Sequence, residues 1–200
     1  MRMAAEQLTS RFNFFIQTAN TITDLGDERG QLVPNPNLSS LDLEVLETLG
    51  MIMGVLLSAE EVFPISLSSI FYDYILGKKI IWKNIKKVFY TAFNNYKSFE
   101  MASAKELEFL ELKYCTYLSM GEEVEVCPYG KLKKVNQENL TDYLKICKSL
   151  QLGTLLQGME RIQRGFKKVT KDGSYIYNTS QTLHTLLQGD PKVINFLIKI

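Results

Sequence analysis

Gly50 and Gly54 stand four residues apart inside an apolar helical stretch, and that spacing narrows what this chain can fold into. Val45, Leu46, Leu49, Ile52, Met53 and Leu56 recur around them at 3.6-residue spacing, the signature of one buried helix face. Each glycine costs about 1 kcal/mol in a helix interior. Two missing side chains on one side offset that cost if another helix approaches closely, so the pair predicts a tightly packed helical core. A membrane dimer is the competing use of spaced glycines. The apolar window Leu49 to Leu57 is only about half of the ~20 residues that cross a bilayer.

The remaining segments read as helices joined by short loops, with a small strand region. Phe12, Phe15 and Ile16 predict one helix face over Ala5 to Ala19. Asp24 to Ser40 reads as a loop, marked by Gly26, Gly30 and the turn-rich Pro34-Asn35-Pro36-Asn37, and Ser39 or Ser40 can cap the next helix. Leu67, Ile70, Phe71, Tyr74 and Ile75 define another helix, closed by Gly77. Ile81, Ile85, Val88 and Phe89 open the one after it. Leu112 to Tyr117 and Glu123 to Cys127 predict short strands, with a turn at Pro128-Tyr129-Gly130. A long helical pattern then runs from Leu140 through Cys147, with Asn136 as its expected cap. A second follows from Leu152 through Phe166, and Gly153 is expected to break the two apart. Lys171 to Ser180 is a polar loop before a short helix over Thr182 to Leu187 that Gly189 ends. The expected class is α+β and mainly α-helical, with short antiparallel strands in a small mixed subdomain.

Composition excludes several functions. At 200 residues, with 46% hydrophobic and 22% charged side chains, the chain can bury the core of one domain or of a two-part lobe. A net charge of +1 gives no global pull toward nucleic acid or anionic membrane. Lys78, Lys79, Lys83, Lys86 and Lys87 form the densest basic cluster, which reads as a solvated helix face before it reads as a phosphate-binding one. Cys115, Cys127 and Cys147 are odd in number and lack metal-ligand spacing. No disulfide framework, zinc site or other cofactor is implied, and a reducing compartment, cytoplasm or nucleus, is expected. The N-terminus does not read as a signal peptide. His184 is the only histidine and reads as a packed or surface residue without an acid–base partner. No catalytic constellation emerges. Cys147 lies on an apolar stripe, where burial silences a thiol, and neither Cys115 nor Cys127 has a histidine nearby in sequence.

Three landmarks in fixed order change the reading: Gly130 to Tyr143 (GKLKKVNQENLTDY), Arg161 to Val169 (RIQRGFKKV) and Leu183 to Gly189 (LHTLLQG). Together they resemble the back half of the N-terminal lobe of a HECT-type ubiquitin ligase. Upstream, Phe14-Phe15, Pro34-Asn35-Pro36, the Leu49-Gly50 to Gly54 helix and Phe63-Pro64-Ile65-Ser66-Leu67 are similar to earlier family segments, so the likeness covers nearly the whole chain. Thr182 stands where the family usually carries Glu, the family's Pro after the Gly-Phe pair is absent with Lys171 near its place, and nothing resembles the family's C-lobe with its ubiquitin-accepting cysteine.

The resemblance implies a HECT N-lobe-like domain over 1–200, with a small subdomain at about 95–135 that docks a ubiquitin-conjugating enzyme in an apolar groove. Tyr96-Lys97-Ser98-Phe99 is similar to the groove-lining helix, and Leu112 and Tyr143 would complete the groove. The implied binding residues are thus Ser98, Phe99, Leu112 and Tyr143, with core burial as the alternative for both rings. The partner would be the conjugating enzyme, with ubiquitin involved indirectly. The chain would supply proximity for thioester transfer to a cysteine on a second lobe, and would be inactive alone. The other reading is a non-catalytic helical binding module, a degenerate relative with the same fold.

Overall fold

The computed structural model describes residues 14–17, 31–118, 123–170 and 179–189. The architecture is α+β and mainly α-helical, with two small antiparallel sheets of two strands each among the described residues. It divides into two compact units, one made of residues 1–80 and 155–200, the other of residues 81–154.

In the first unit, β1 (Phe15–Gln17) pairs with β2 (Leu32–Pro34), Phe15 opposite Pro34 and Gln17 opposite Leu32. This corrects the helix expected over Ala5 to Ala19. The helical spacing of Phe12, Phe15 and Ile16 is outweighed by the ladder partner that Leu32–Pro34 provides. The Asn35 N–H extends that ladder by donating to the Phe14 carbonyl at 2.9 Å. Residues 5–13 and 18–19 of the expected helix lie outside the described residues. So do 24–30 of the expected loop, within which Leu32–Pro34 is strand. Helix α1 (Ser40–Ser58) starts at a capping box: Ser39 Oγ accepts from the Asp42 N–H, and Asp42 Oδ2 accepts from the Ser39 N–H at 3.0 Å. Its buried face is Leu43, Leu46, Leu49, Gly50, Met53 and Gly54, while Val45 and Ile52 of the apolar series face outward.

Helix α2 (Ser69–Ile75) ends where Gly77 adopts a φ of +79°, the left-handed region open to glycine. The last described helix of the first unit is α6 (Ser180–Gln188), ended in the same way by Gly189 at φ +76°. His184 packs its ring edge-on against Tyr72, 5.1 Å between centroids, as a structural histidine.

The second unit begins with a 3-10 segment (Trp82–Lys87) in place of the α-helix expected from Ile81, and α3 (Tyr90–Met101) follows. Lys83, Lys86 and Lys87 are exposed, as a solvated face requires. After α3 come α4 (Ala104–Leu110) and the hairpin of β3 (Cys115–Tyr117) with β4 (Glu123–Glu125). The expected strands shorten to these three-residue pairings.

Helix α5 (Leu140–Thr170) gives residues 140–154 to the second unit and 155–170 to the first. It runs unbroken through Gly153, which corrects the expected break. Gly153 is exposed, and a Cβ built there would meet nothing within 4 Å. Its cost of about 1 kcal/mol is small against the burial of Cys147, Leu155, Met159, Ile162 and Phe166 along the same helix. The approach to α5 also differs in detail from expectation. Asn136 Oδ1 accepts from the Glu138 and Asn139 N–H groups, both at 3.1 Å, while Asn139 Oδ1 returns a bond from the Asn136 N–H. The first helical bond runs from the Tyr143 N–H to the Asn139 carbonyl. Asn136 therefore folds the turn and Asn139 takes the cap position.

Within the first unit, α1 and residues 155–170 of α5 meet backbone to backbone. A Cβ on Gly50 would collide with the Ile162 carbonyl oxygen, and one on Gly165 with the Glu47 carbonyl oxygen. Gly54 is slightly looser, with Val169 Cβ at 3.0 Å and the Phe166 carbonyl at 3.2 Å.

Beside this contact Glu47, almost fully buried, receives Arg164 through Nε at 2.8 Å and also through its second guanidinium nitrogen. Lys168 Nζ lies at 2.5 Å and Arg161 at 3.7 Å. The hydrogen bonds from Arg164 and then Lys168 hold the Glu47 carboxyl at about 2, well below its usual 4.5. A depressed carboxylate contributes stability that is present above its unfolded value and lost as pH falls toward its folded value. Glu47→Gln is expected to cost about 1–2 kcal/mol at pH 7, the range for hydrogen bonds to charged groups whose cations are half exposed. The gap between variant and parent should close as pH falls from 4.5 toward about 2. Urea titrations at pH 7, 4 and 3 check this, and a gap independent of pH would contradict it.

Candidate functional site

The core of the second unit decides where the expected site residues stand. Tyr96, Leu107, Tyr114, Val135, Leu140, Tyr143, Leu144 and Cys147 form one buried cluster, against which Trp82, Phe99 and Leu112 pack. Gly130, the first of the landmark residues, lets the chain press against Tyr114: a Cβ there would collide with the Tyr114 carbonyl oxygen. The Tyr114 N–H donates to the Gly130 and Lys133 carbonyls at 3.1 and 3.0 Å, tying the landmark segment beside the hairpin. Gln151 threads a polar line through this core. Its Nε2 donates to Tyr96 Oη at 2.9 Å and to the Tyr117 carbonyl at 3.0 Å, and Tyr96 Oη also bonds Thr116 Oγ1. Burial pushes the Tyr96 phenol up to about 12, so it acts in this network as a neutral hydrogen-bonding group.

Tyr143 belongs to the same core. It is 3% exposed, its ring lies 5.4 Å from that of Tyr114, and its hydroxyl donates to the Cys115 carbonyl at 2.8 Å. Burial pushes its phenol far above the ordinary range. Leu112 is half-buried against the cluster, and its carbonyl accepts from the Val135 N–H at 2.8 Å.

Ser98 and Phe99 stand elsewhere, on the wall of an open groove of about 640 Å³ between α3 and α4. From α3 and the residue after it come Ser98, Phe99, Met101 and Ala102; from α4 come Lys105, Glu106, Phe109 and Leu110. Leu112 and Tyr143 do not line it. Phe99 is half-buried, with its ring 6.3 Å from that of Tyr96, so one side rests on the core and the other faces the groove. Phe109 is 88% exposed and Met101 78%. Large apolar side chains this exposed on adjoining helices make a surface that water solvates poorly, the kind that marks an interaction site.

Local sequence explains the groove's shape. Two residues, Ala102 and Ser103, separate α3 from α4, and Ala102 is extended, so the chain turns sharply. Ser103 caps α4 in a capping box with Glu106, and Glu111 ends the helix at φ +47°. The spacing Ser103-Ala104-Lys105-Glu106 is the signal that could have found α4 in the sequence. Phe109 carries no such signal, because Leu107 two residues earlier is 1% exposed and looks equally apolar.

Two of the three cysteines sit in the interior. Cys115 and Cys147 are buried, and burial raises both thiols above their ordinary value. Cys127 is half-buried. Among the described residues no cluster of His, Cys, Asp and Glu could hold a metal ion, and no helix is long and apolar enough to cross a membrane.

The family model of the HECT domain, a ubiquitin transferase, matches residues 2–198. The chain belongs to the HECT family. Its function is accordingly related to that of ubiquitin ligases. The structure gives the landmarks of this HECT chain their physical causes. Gly130 permits the contact with Tyr114, Asn139 caps α5, Gly165 admits the α1 backbone, and Gly189 ends α6 in the left-handed region.

Proposed function

We propose that this chain is the lobe of a HECT-type ubiquitin ligase that docks a ubiquitin-conjugating enzyme, and that the α3–α4 groove is the docking site. The observation that carries the reading is the groove itself. It is an exposed apolar surface of Phe99, Met101, Phe109 and Leu110, built on the Tyr96-Lys97-Ser98-Phe99 helix of a HECT chain. Ser98 and Phe99 are contact residues in this proposal, while Leu112 and Tyr143 hold the unit's core from which the groove is built. Docking brings the ubiquitin thioester near a cysteine on a second lobe. That cysteine's thiolate attacks the thioester carbonyl carbon, the conjugating enzyme's thiolate leaves, and ubiquitin becomes joined to the ligase through a new thioester. The present chain contributes proximity to that step. Its buried Cys115 and Cys147, with thiols held protonated, support a role without a nucleophile of its own.

The purified chain titrated against a panel of conjugating enzymes is the test. At least one member should bind. With activating enzyme, ATP and ubiquitin added, the chain should form no reducible ubiquitin adduct on a non-reducing gel. Failure of the whole panel to bind would leave a non-catalytic helical module as the better reading. An adduct abolished by Cys127→Ala would overturn the absence of a nucleophile.

A further inference from the structure

Two charged side chains line the groove, Lys105 and Glu106, and among the described residues only Glu106 has a partner within the chain. Glu106 Oε2 accepts from the Ser103 N–H and from Ser103 Oγ, both at 2.7 Å. These bonds hold its carboxyl below the usual carboxylate range and commit its charge to the start of α4. Lys105 is exposed, and among the described residues no carboxylate pairs with it. It also sits in the first turn of α4, where the unpaired N–H groups of the helix make a positive charge unfavourable. At this position a neutral side chain would suit the helix start better. The Lys105 side chain lines the groove together with Phe109 and Leu110, as a charge with no carboxylate partner among the described residues.

We infer that Lys105 selects the docking partner: the groove takes a conjugating enzyme that presents a carboxylate beside the apolar side chain it inserts. This rests on the docking reading above and adds the charge of the partner to it. An apolar groove holds any apolar loop of suitable size, so discrimination comes from the charges at its edge. A cation there lowers the dissociation constant of an acidic-flanked loop and raises that of a basic-flanked one. Since the pair forms in water at the rim, its contribution is modest and sensitive to salt.

Lys105→Gln and Lys105→Glu should fold like the parent or melt slightly higher, because they remove a cation from a helix start. Against panel members with an acidic residue flanking the docking loop, Lys105→Gln should weaken binding about threefold and Lys105→Glu about tenfold at low salt. The salt dependence of affinity should shrink in the first variant. For members with a basic flanking residue, Lys105→Glu should bind more tightly than the parent. Replacing the flanking carboxylate of the best binder with lysine should restore its affinity for Lys105→Glu. If the enzymes bind but both variants match the parent at all salt concentrations, Lys105 has no selecting role and the groove assignment stands. If the enzymes bind and Phe109→Ala is also silent, the groove is not the docking site and the inference falls with it. If no enzyme binds the parent chain, both proposals fail together.

Discussion

Gly165→Ala is expected to destabilise the first unit by about 3 kcal/mol or more, a lowering of the melting temperature by roughly 6–12 °C for a chain of this size. A single Cβ at this position would run into the carbonyl oxygen of Glu47 and reach the Met51 nitrogen at 3.0 Å. Both neighbours are backbone atoms of α1, so no side chain can rotate away, and the two helices must separate. Separation reopens the packing of Ile162 and Phe166, which are 0% and 2% exposed. Gly50→Ala should behave alike, since its Cβ meets the Ile162 carbonyl oxygen from the other side of the same contact. Gly54→Leu should also destabilise, because a whole side chain would enter a space bounded by Val169 and Phe166. Gly153→Ala is the control, with open space around its Cβ, and should gain about 0.5–1 kcal/mol from helix propensity. Thermal melts followed by circular dichroism make the comparison. A Gly165→Ala variant that melts within a degree or two of the parent would refute the backbone contact.

Phe109→Ala is expected to weaken binding of a conjugating enzyme about thirtyfold, ~2 kcal/mol, while leaving the melting curve unchanged. The ring is 88% exposed, so the fold loses almost no burial when it is removed. A docked partner would cover it, and a desolvated aromatic anchor is the kind of residue that carries interface energy. Phe99→Ala should weaken binding comparably and also lower stability, because that ring packs on Tyr96 as well as lining the groove. Tyr143→Ala separates the two effects. It removes a core ring and the hydroxyl that donates to the Cys115 carbonyl, so it should cost about 3–5 kcal/mol and act through folding. Lys83→Ala, exposed on the 3-10 segment, should change neither quantity. Calorimetric titration with circular dichroism distinguishes the classes. A folded Phe109→Ala variant with parental affinity would remove the groove from the docking site.

How much of this was legible beforehand differs from element to element. The glycine pair in α1 announced a close approach because glycine's cost in a helix needs a compensating contact. The contact exists, and within the pair Gly50 is the tighter member and Gly54 the looser. Capping chemistry was legible where it is local: Ser39 caps α1, and Gly77 and Gly189 end their helices. Phe15–Gln17 became strand because a partner 17 residues along the chain supplies its hydrogen bonds. Local periodicity cannot register a partner at that distance. Gly153 failed as a breaker because the buried residues on either side of it bind one continuous helix.

Of the four residues that the family resemblance suggested for docking, two line the groove proposed here and two do not. Ser98 and Phe99 were placed by a short motif, and the structure puts both on the groove wall. Leu112 and Tyr143 pack against or into the core, and no local sequence signal singles out Phe109, Met101 or Lys105. Sequence by itself determined the helical class, the local caps and, through an ordered series of landmarks, membership of the HECT family. Only the tertiary structure decided which apolar residues are covered and which remain open. Leu107 and Phe109 show the reason. Both are apolar, both sit on the same short helix, and one is 1% exposed while the other is 88% exposed. Periodicity encodes that a helix has an apolar side, but exposure depends on what the rest of the chain lays against it.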